Sequence, residues 1–236
     1  MSLPGGPVPA PVHRPTTSGS GHLIWDWNGT LLDDLPIVVE AVNVGLAAYG
    51  ASPIDAEGYR NHYTRPVNLF YERLLGRRVT DAEWLRINEL FHKAYFCRVD
   101  TVGLAPDAGV ALDTARDRGL RQSVLSMAPH EHLVGIVDRL GVTGYFDAVR
   151  GSQGNRGAGK ATSLAGHLEA LELDPATVVV VGDVPDDAAA ASAVGARAVL
   201  FDGGSHHRHD LEAVGVPVAG SLTEAVDLAL EEVAVR

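Results

Sequence analysis

Short apolar runs alternate with longer amphipathic stretches from residue 22 onward, and this alternation predicts strands separated by helices. The clearest run, Val178-Val179-Val180-Val181, has no polar position, which is typical of a strand that is covered on both faces. Strands are also predicted at 23–25, 120–125, 146–149 and 198–201. Because helical patterns lie between these strands, we expect an α/β fold with a doubly wound, Rossmann-like parallel sheet and helices on both sides.

Helix boundaries are marked by capping residues and glycines. Asp107 is expected to cap a helix that runs to Arg118, before Gly119 stops it. Ser221 and Glu224 have the spacing of a capping box at the start of the last helix. These signals place helices between the strands, as the crossovers of a parallel sheet require.

The interval between Asp34 and about Leu104 contains helical patterns and no convincing strand. Asp34 precedes Pro36, which is a favourable helix start, and Thr80 with Glu83 forms a second capping box. We therefore predict a helical insert over the carboxyl edge of the sheet. The domains expected are an α/β core at 22–34 and 105–236, and a helical cap at 35–104.

The beginning of the chain differs in composition from the rest. Prolines stand at positions 4, 7, 9, 11 and 15, and no apolar period can be found among them. Such a segment buries too little apolar surface to offset its ordering entropy. We predict that residues 1–21 form a flexible arm.

Composition excludes several classes of protein. The 236 residues are 46% hydrophobic and 21% charged, which is ordinary for a globular protein. The net charge is −11 and the arginines are scattered, which argues against a nucleic-acid partner. No apolar run approaches the roughly 20 residues of a membrane span, so no membrane partner is expected. The single cysteine, Cys97, excludes an intrachain disulfide; we interpret it as a buried thiol in a protein of the reducing cytoplasm.

Five polar or charged residues that could take part in catalysis are predicted to meet at one edge of the sheet. Asp26 and Ser126 end the first and second predicted strands, and Asp183 follows the valine run with Asp187 close behind. Lys160 lies between the third and fourth strands. In an open parallel sheet, ligands bind outside the carboxyl ends of the strands, so this edge is the candidate site.

Each of these residues alone has a structural explanation. An aspartate after a strand commonly caps a helix or forms a turn, and a serine before a helix commonly caps it. The glycines before Lys160 do not form a nucleotide-binding phosphate loop, because Ala161 stands where that motif needs Ser or Thr. The order of these residues along the chain favours a catalytic role over the structural explanations.

That order resembles the haloacid dehalogenase superfamily over about residues 22–236. The resemblance rests on Asp26-Trp27-Asn28-Gly29-Thr30 after the first strand, on a strand that ends in Ser126, on Lys160, and on Gly182-Asp183 followed by Asp187. Within the superfamily, the chain is most similar to small-molecule phosphatases of the phosphoglycolate-phosphatase kind. The predicted insert occupies the place of that family's helical cap.

The resemblance implies a role for each motif residue. Asp26 would be the nucleophile that forms an aspartyl-phosphate, and Lys160 would neutralise the nucleophile and the phosphate. The transferring phosphoryl oxygens would be held by Ser126 and neighbouring backbone amides, including those of Gly29, Thr30 and Met127.

The resemblance also implies a Mg²⁺ site. Asp26, Asp183 and the backbone carbonyl of Asn28 would bind the ion, and Asp187 would support the metal and the lysine. Three carboxylates at one edge repel one another, and Mg²⁺ prefers such all-oxygen sites. The implied function is a Mg²⁺-dependent phosphatase acting on a small phosphorylated metabolite.

Asn28 departs from the family's phosphatases, which carry a second aspartate at this position. That aspartate protonates the leaving oxygen and then activates water, whereas an amide cannot relay a proton. Three alternatives follow: a slow phosphatase, an enzyme whose leaving group needs no proton, or a phosphate-binding protein without turnover. Phosphonate hydrolases and dehalogenases also lack this aspartate, but the first class needs an extra lysine and the second needs no metal pair.

Other polar residues carry weaker signals. Arg60, His62 and Arg65 lie in the predicted insert, and Arg65 is a candidate for binding an anionic part of the substrate. His206, His207 and His209 follow two glycines, which indicates a solvated loop.

Overall fold

Six parallel strands form one sheet in the order β3-β2-β1-β4-β5-β6. The structure is a computed structural model that describes residues 21–152 and 159–234, so residues 1–20 of the predicted arm lie outside the described residues, and Gly21, its last residue, is buried. The strands are β1 (His22–Trp25), β2 (Arg121–Pro129), β3 (Val149–Ser152), β4 (Val178–Gly182), β5 (Arg197–Phe201) and β6 (Val218–Ala219). This order, which reverses beside β1, confirms the doubly wound α/β fold.

Helices connect the strands and cover both faces of the sheet. Between β1 and β2 lie α1 (Leu35–Ala47), α2 (Ala56–His62), α3 (Val67–Leu75), α4 (Asp81–Phe96) and α5 (Ala108–Asp117). The later helices are α6 (His130–Arg139), α7 (Lys160–Ala170), α8 (Pro185–Val194), α9 (Arg208–Glu212) and α10 (Leu222–Ala234). Short 3₁₀ turns occur at Val99–Thr101, Thr143–Tyr145 and Pro175–Thr177.

The alternation of side chains along β1 explains why the sheet is covered twice. Leu23 and Trp25 point into the larger hydrophobic cluster, which includes residues of α5, α6 and α10. Ile24 points to the opposite face and joins a cluster with residues of α7 and α8. Successive side chains of a strand face opposite ways, so a strand with no polar position needs a layer of helices on each side.

The insert between β1 and β2 has hydrophobic contacts of its own. Val42, Leu46, Phe70, Tyr71 and Ile87 form a third cluster from α1, α3 and α4. All four helices α1–α4 fall within the predicted 35–104 interval, and no strand occurs there among the described residues. That 35–104 and 22–34 with 105–236 are separate domains stays a prediction.

Several local predictions need correction. Asp107 does not cap α5 with its side chain, because its carboxylate accepts hydrogen bonds from Thr223 N (2.9 Å) and Oγ1 (3.2 Å) instead. The strand predicted at 146–149 begins only at Val149, since a 3₁₀ turn precedes it.

Of the two predicted capping boxes, the one at Thr80 and Glu83 is confirmed. At the last helix, Glu224 accepts from Gly220 N, so only the Ser221 half of the box forms.

Two predictions about single side chains are also wrong. Cys97 is exposed rather than buried, because it follows the last turn of α4 on the outside of the insert. His206 is partly buried and packs its ring edge against Tyr63, with ring centroids 5.3 Å apart, so the histidine loop is only partly solvated. Within the described ranges, every helix is too short or too polar to cross a bilayer.

Candidate active site

Three polar side chains, two that follow β1 and β4 and one within β2, lie at the same edge of the sheet. The strand predicted to end at Ser126 instead continues to Pro129. Asp26 follows β1, and its backbone N–H donates to Val181 O at 2.8 Å, so the chain leaves the sheet beside β4. Asp183 follows β4 in the same way. Ser126 lies just after Leu125, where the regular pairing of β2 with β3 is interrupted. All three side chains are buried.

Lys160 joins two of the aspartates. As the first residue of α7, it donates from Nζ to Asp26 Oδ1 at 2.7 Å and forms an ion pair with Asp187 Oδ1. Burial lowers the pKa of Lys160, but the Asp187 and Asp26 carboxylates outweigh burial and raise this pKa above its ordinary value. Lys160 is therefore a fixed positive charge between two carboxylates.

Asp187 reaches the site because the residue at the end of β4 has no side chain. The Asp187 carboxylate accepts from Val184 N at 3.1 Å and stands against the backbone of Gly182. A Cβ atom at residue 182 would overlap this carboxylate. Gly182 is thus required for the close approach of Asp187 to the strand.

Asp183 is enclosed by backbone from two loops. Its Oδ2 accepts from Ser205 N at 2.8 Å, and its Oδ1 lies 3.5 Å from Thr30 Oγ1, which donates to it. A Cβ atom on Gly204 would overlap the Asp183 side chain, and one on Gly29, whose φ is +73°, would lie 2.5 Å from Asp183 Oδ2. A side chain at either glycine would therefore crowd the Asp183 carboxylate.

Burial dominates the protonation of the two aspartates. Burial raises the pKa of Asp26 to about 6, against the opposing effect of Lys160. Burial, together with the negative charges of Asp26 and Asp187, raises the pKa of Asp183 to about 7. In both cases the loss of contact with water outweighs the favourable charges and hydrogen bonds around the carboxylate.

The three carboxylates have the arrangement that a hard divalent cation needs. One oxygen from each of Asp26, Asp183 and Asp187 lies within 4.8 Å of the others, and all three residues are buried. This all-oxygen, anionic set with excess negative charge fits Mg²⁺. The Asn28 carbonyl does not belong to this carboxylate set, so its role as a ligand stays a prediction.

The Asn28 side chain belongs to a buried network that the sequence did not indicate. Its Nδ2 donates to Asp34 Oδ2 and to Tyr95 Oη, each at 2.7 Å, and the Tyr95 hydroxyl donates to Asp34 Oδ2 at 2.7 Å. Asp34 Oδ1 accepts from Gly29 N at 2.8 Å. The Asn28 amide oxygen faces Ser126 Oγ at 3.4 Å. Because a carboxylate only accepts, Asp34 fixes which end of the amide faces the site.

A cavity of about 250 Å³ opens above these residues. Of the predicted substrate-binding residues, Gly29, Arg65, Ser126 and Met127 line it, together with the predicted catalytic and metal-binding Asp26, Asn28, Lys160 and Asp183. Thr30 does not: its side chain is fully buried against Asp183, so it supports a carboxylate rather than the substrate. Asp187 is also fully buried, behind Lys160.

Sequence analysis missed the aromatic wall of the cavity. Rings from the insert and from α6 line it: Tyr59, Tyr63, Phe91, Tyr95, Phe96 and His132. Arg65 also lies there, with Nε 3.3 Å from Asp186 Oδ2, whereas Arg60 donates to Gly204 O at 2.9 Å. Phe91 and Tyr95 have helical spacing that is equally typical of packing, so the sequence carried no signal that separates the two roles.

Comparison with known proteins gives consistent matches. A phosphoglycolate phosphatase from Cereibacter sphaeroides is 30% identical over 199 residues, covering 80% of this chain and 89% of the relative. A phosphoglycolate phosphatase from Synechococcus elongatus is 28% identical over 193 residues, covering 81% and 88%. A haloacid dehalogenase-like family hydrolase from Streptococcus pneumoniae shares the fold, with a TM-score of 0.77 at 16% identity over 89% of this chain and 98% of that chain.

A family model supports the same assignment from the sequence side. The model for haloacid dehalogenase-like hydrolases matches residues 21–195, which is most of the chain and includes every residue of the carboxylate and lysine cluster. With this match and a relative at 30% identity over most of its length, the protein belongs to the haloacid dehalogenase-like hydrolase family.

Proposed function

We propose that this protein is a Mg²⁺-dependent phosphatase that hydrolyses a small phosphorylated metabolite through an aspartyl-phosphate on Asp26. The observation that carries the proposal is Lys160, buried and paired with both Asp26 and Asp187 beside a third carboxylate, Asp183. The phosphoglycolate phosphatases among the relatives support the same reaction class. A cytoplasmic location, expected from the single cysteine, is part of this proposal.

Asp26, Asp183 and the carbonyl of Asn28 would hold Mg²⁺, with Asp187 behind them. When bound, the ion would supply positive charge that lowers the repulsion between the carboxylates and an incoming phosphate dianion. Lys160 supplies the fixed part of that charge from the protein itself. Mg²⁺ would also reduce the repulsion that Asp183 receives from the negative charges of Asp26 and Asp187.

The first step is attack by Asp26 on phosphorus. Lys160 donates to Asp26 Oδ1 and leaves Oδ2 as the attacking oxygen. The new bond joins Asp26 Oδ2 to phosphorus as the ester P–O bond breaks, and the leaving oxygen keeps the electron pair. The Ser126 hydroxyl and the backbone N–H of Met127 are donors for the phosphoryl oxygens, whose charge grows in the transition state.

The second step returns Asp26 to its free form. A water attacks the phosphorus of the aspartyl-phosphate, the bond between phosphorus and Asp26 breaks, and phosphate leaves. Asn28 has no proton to exchange with that water, because its amide accepts through Oδ1 and its Nδ2 donates to Asp34 and Tyr95. This step is therefore expected to limit turnover, so that the aspartyl-phosphate accumulates.

A substitution of the nucleophile tests the proposal. With Mg²⁺ and acetyl phosphate, the wild type is expected to release phosphate and to show a mass increase of one phosphoryl group after acid quenching. Asp26→Asn removes the attacking carboxylate, so both signals should disappear. The matched control is Asp33→Asn, at an exposed neighbour in the same loop, which should retain them. Wild-type activity in Asp26→Asn would exclude this mechanism.

One observation favours a second candidate, a phosphate-binding homologue without turnover. Asn28 lacks the proton relay of the family's phosphatases, and its amide is fixed by Asp34. Phosphate binding in the presence of Mg²⁺, with no release of phosphate from any ester or acyl phosphate, would support this candidate. The buried pair Asp183 and Asp187 argues against a dehalogenase, which needs no metal. Lys93, the only other lysine, is exposed, which argues against a phosphonate hydrolase.

A further inference from the structure

Beyond the carboxylates, the cavity is walled by stacked rings. Tyr59 and Tyr63 stack with centroids 4.9 Å apart, and Phe91 and Tyr95 stack at 5.9 Å. Phe96 of α4 stacks on His132 of α6 at 4.2 Å, so a ring pair bridges the insert and the core. Aromatic walls of this kind favour a flat, apolar group, which gains both burial and ring contacts.

The same cavity has little positive charge to offer a second anion. Among its described lining residues, the lysine and arginine side chains are those of Lys160 and Arg65. Lys160 is already paired with two carboxylates, and Arg65 lies 3.3 Å from the carboxylate of Asp186. A substrate with a carboxylate next to its phosphate would have to share Arg65 with Asp186, whose negative charge weakens that pairing. An uncharged leaving group avoids this cost.

Asn28 sets a separate condition on the leaving group. Both N–H groups of its amide are used, one by Asp34 Oδ2 and one by Tyr95 Oη. The amide oxygen, which faces Ser126, can accept a proton in a hydrogen bond but cannot give one. The leaving oxygen therefore departs with its negative charge. An oxygen attached to an aromatic ring spreads this charge into the ring, whereas an alkoxide oxygen holds it alone.

The aromatic wall, the pairing of the two cations and the Asn28 amide favour the same kind of substrate. Resting on the proposed function, we propose that the substrate is a phosphate monoester of an aromatic hydroxyl group, with its ring held among the aromatic side chains of the insert. In the first step the bond from Asp26 to phosphorus forms and the aryl P–O bond breaks. The aryl oxygen takes the electron pair and leaves as an anion, and it gains its proton from solvent after release. The cavity, at about 250 Å³, has room for a phosphoryl group and one ring.

The experiment compares esters of similar size in the presence of Mg²⁺. Phenyl phosphate has an aromatic ring and a good leaving group, benzyl phosphate has an aromatic ring and a poor leaving group, and cyclohexyl phosphate has neither an aromatic ring nor a good leaving group. We expect kcat/KM to be highest for phenyl phosphate. Because all esters give the same aspartyl-phosphate, whose hydrolysis is expected to limit kcat, the leaving group is compared through kcat/KM. This ratio should be lower for benzyl phosphate by about 10²–10⁴, the usual value of general acid catalysis. Cyclohexyl phosphate and 2-phosphoglycolate should also have a low kcat/KM.

Variants of the ring pair test the role of the wall. Phe96→Leu and His132→Ala should each lower kcat/KM for phenyl phosphate about threefold to tenfold, the value of one aromatic contact. Hydrolysis of acetyl phosphate, which has no ring, should fall less in both variants. Phe146→Leu is the matched control, because Phe146 is half-buried in the core and does not line the cavity. His132 is exposed, so its variant is expected to fold even where Phe96→Leu does not.

The outcomes separate the two proposals. Equal kcat/KM for phenyl and cyclohexyl phosphate, or a preference for 2-phosphoglycolate, would overturn the aromatic substrate while the release of phosphate from acetyl phosphate upholds the phosphatase. If acetyl phosphate is not hydrolysed and no phosphorylated Asp26 forms, the phosphatase itself is overturned. The expected ranking, with ring variants that affect phenyl phosphate more than acetyl phosphate, supports both.

Discussion

Asn28 Nδ2 lies 2.7 Å from Asp34 Oδ2, and this hydrogen bond turns the amide oxygen of Asn28 towards Ser126. A carboxylate placed at residue 28 by itself would face the carboxylate of Asp34 across the same distance. Like charges at such a separation raise one pKa strongly or push the side chains apart. The family's proton relay is therefore expected to be restored only in part by a change at residue 28 alone.

Exchanging the two residues is expected to restore the relay. In Asn28→Asp with Asp34→Asn, the new amide donates to the new carboxylate, and Gly29 N keeps an oxygen acceptor at residue 34. We expect kcat/KM for benzyl phosphate, which reports the first step, to rise by up to about 10²–10⁴-fold, and kcat/KM for phenyl phosphate to rise less. Asn28→Asp alone should gain less and should have a lower melting temperature. An exchange variant that folds, binds phosphate and gains nothing would show that Asn28 is not a missing acid.

Gly182→Ala is expected to disable the site without unfolding the sheet. The added methyl group would overlap the Asp187 carboxylate and force it away from Lys160. We expect a loss of activity of more than about tenfold, with a destabilisation of about 1–3 kcal/mol as in other overpacked positions. Gly135→Ala is the control, because a Cβ there meets open space within α6. That variant should be as active as the wild type and about 0.4–1 kcal/mol more stable. Full activity in Gly182→Ala would contradict the tight placement of Asp187.

The metal-free protein is expected to lose stability as the pH rises. Burial raises the pKa of Asp26 to about 6 and of Asp183 to about 7, from an ordinary value of 3.8. Between about pH 4 and pH 7 the folded protein keeps protons that the unfolded chain releases, so the free energy of unfolding falls across this window. In chelator, the melting temperature should drop from about pH 5 to about pH 8, and Mg²⁺ should reverse the drop.

Asp183→Asn checks the origin of this effect. It removes one of the buried acidic groups and one proposed ligand, so both the alkaline loss of stability and the response to Mg²⁺ should shrink. Asp210→Asn, at an exposed position of α9, should behave as the wild type. An unchanged Mg²⁺ response in Asp183→Asn, measured by thermal melting and by calorimetry, would remove Asp183 from the metal site.

Two buried histidines are expected to make the protein sensitive to acid. His22 and His167 each place Nε2 2.8 Å from Ser123 Oγ. Burial lowers the pKa of His22 to about 3 and of His167 to about 4, from an ordinary value of 6.5. The unfolded chain therefore binds protons first, and stability is lost as the pH falls below about 6.5, by up to about 1.4 kcal/mol for each unit of pKa difference.

His22→Gln should reduce this acid sensitivity. Glutamine does not titrate, and its amide can still reach Ser123. The melting temperatures are compared in Mg²⁺ between about pH 7 and pH 5, so that the opposite effect of the aspartates is suppressed. A variant whose melting temperature falls as steeply with acid as that of the wild type would contradict the assignment to His22.

The sequence was sufficient to predict the sheet and the meeting of five polar residues at its edge. The uninterrupted valines of β4 required two layers of helices, and the carboxyl ends of parallel strands share one edge. Asp26, Ser126 and Asp183 therefore had to lie close together wherever the helices packed. Strand β6 was missed because two residues, Val218 and Ala219, give no period to detect.

The Asn28 network could not be predicted in the same way. Asp34 and Tyr95 are 61 residues apart, and each had a sufficient local explanation, one as a helix start and the other as an inward-facing position of α4. Their contact depends on how the insert sits on the core, which local periodicity does not determine. The same holds for Phe96 and His132, whose stacking joins two elements that no motif connects.

The hydrogen bond between Tyr95 and Asp34 makes the site depend on the insert, so the insert cannot be exchanged without affecting the site. Replacing segment 35–104 by the cap of a relative would remove Tyr95 and leave the buried Asp34 carboxylate with the donors of Asn28 and Gly29 alone. The lost hydrogen bond to a charged group is worth about 1.5–3 kcal/mol. It would also free one N–H of Asn28, and with it a donor that could turn towards the substrate. A grafted cap would therefore bring more than a new specificity wall, because it would change the donor pattern beside the nucleophile. Chimeras of this protein need position 34 to be exchanged together with the cap.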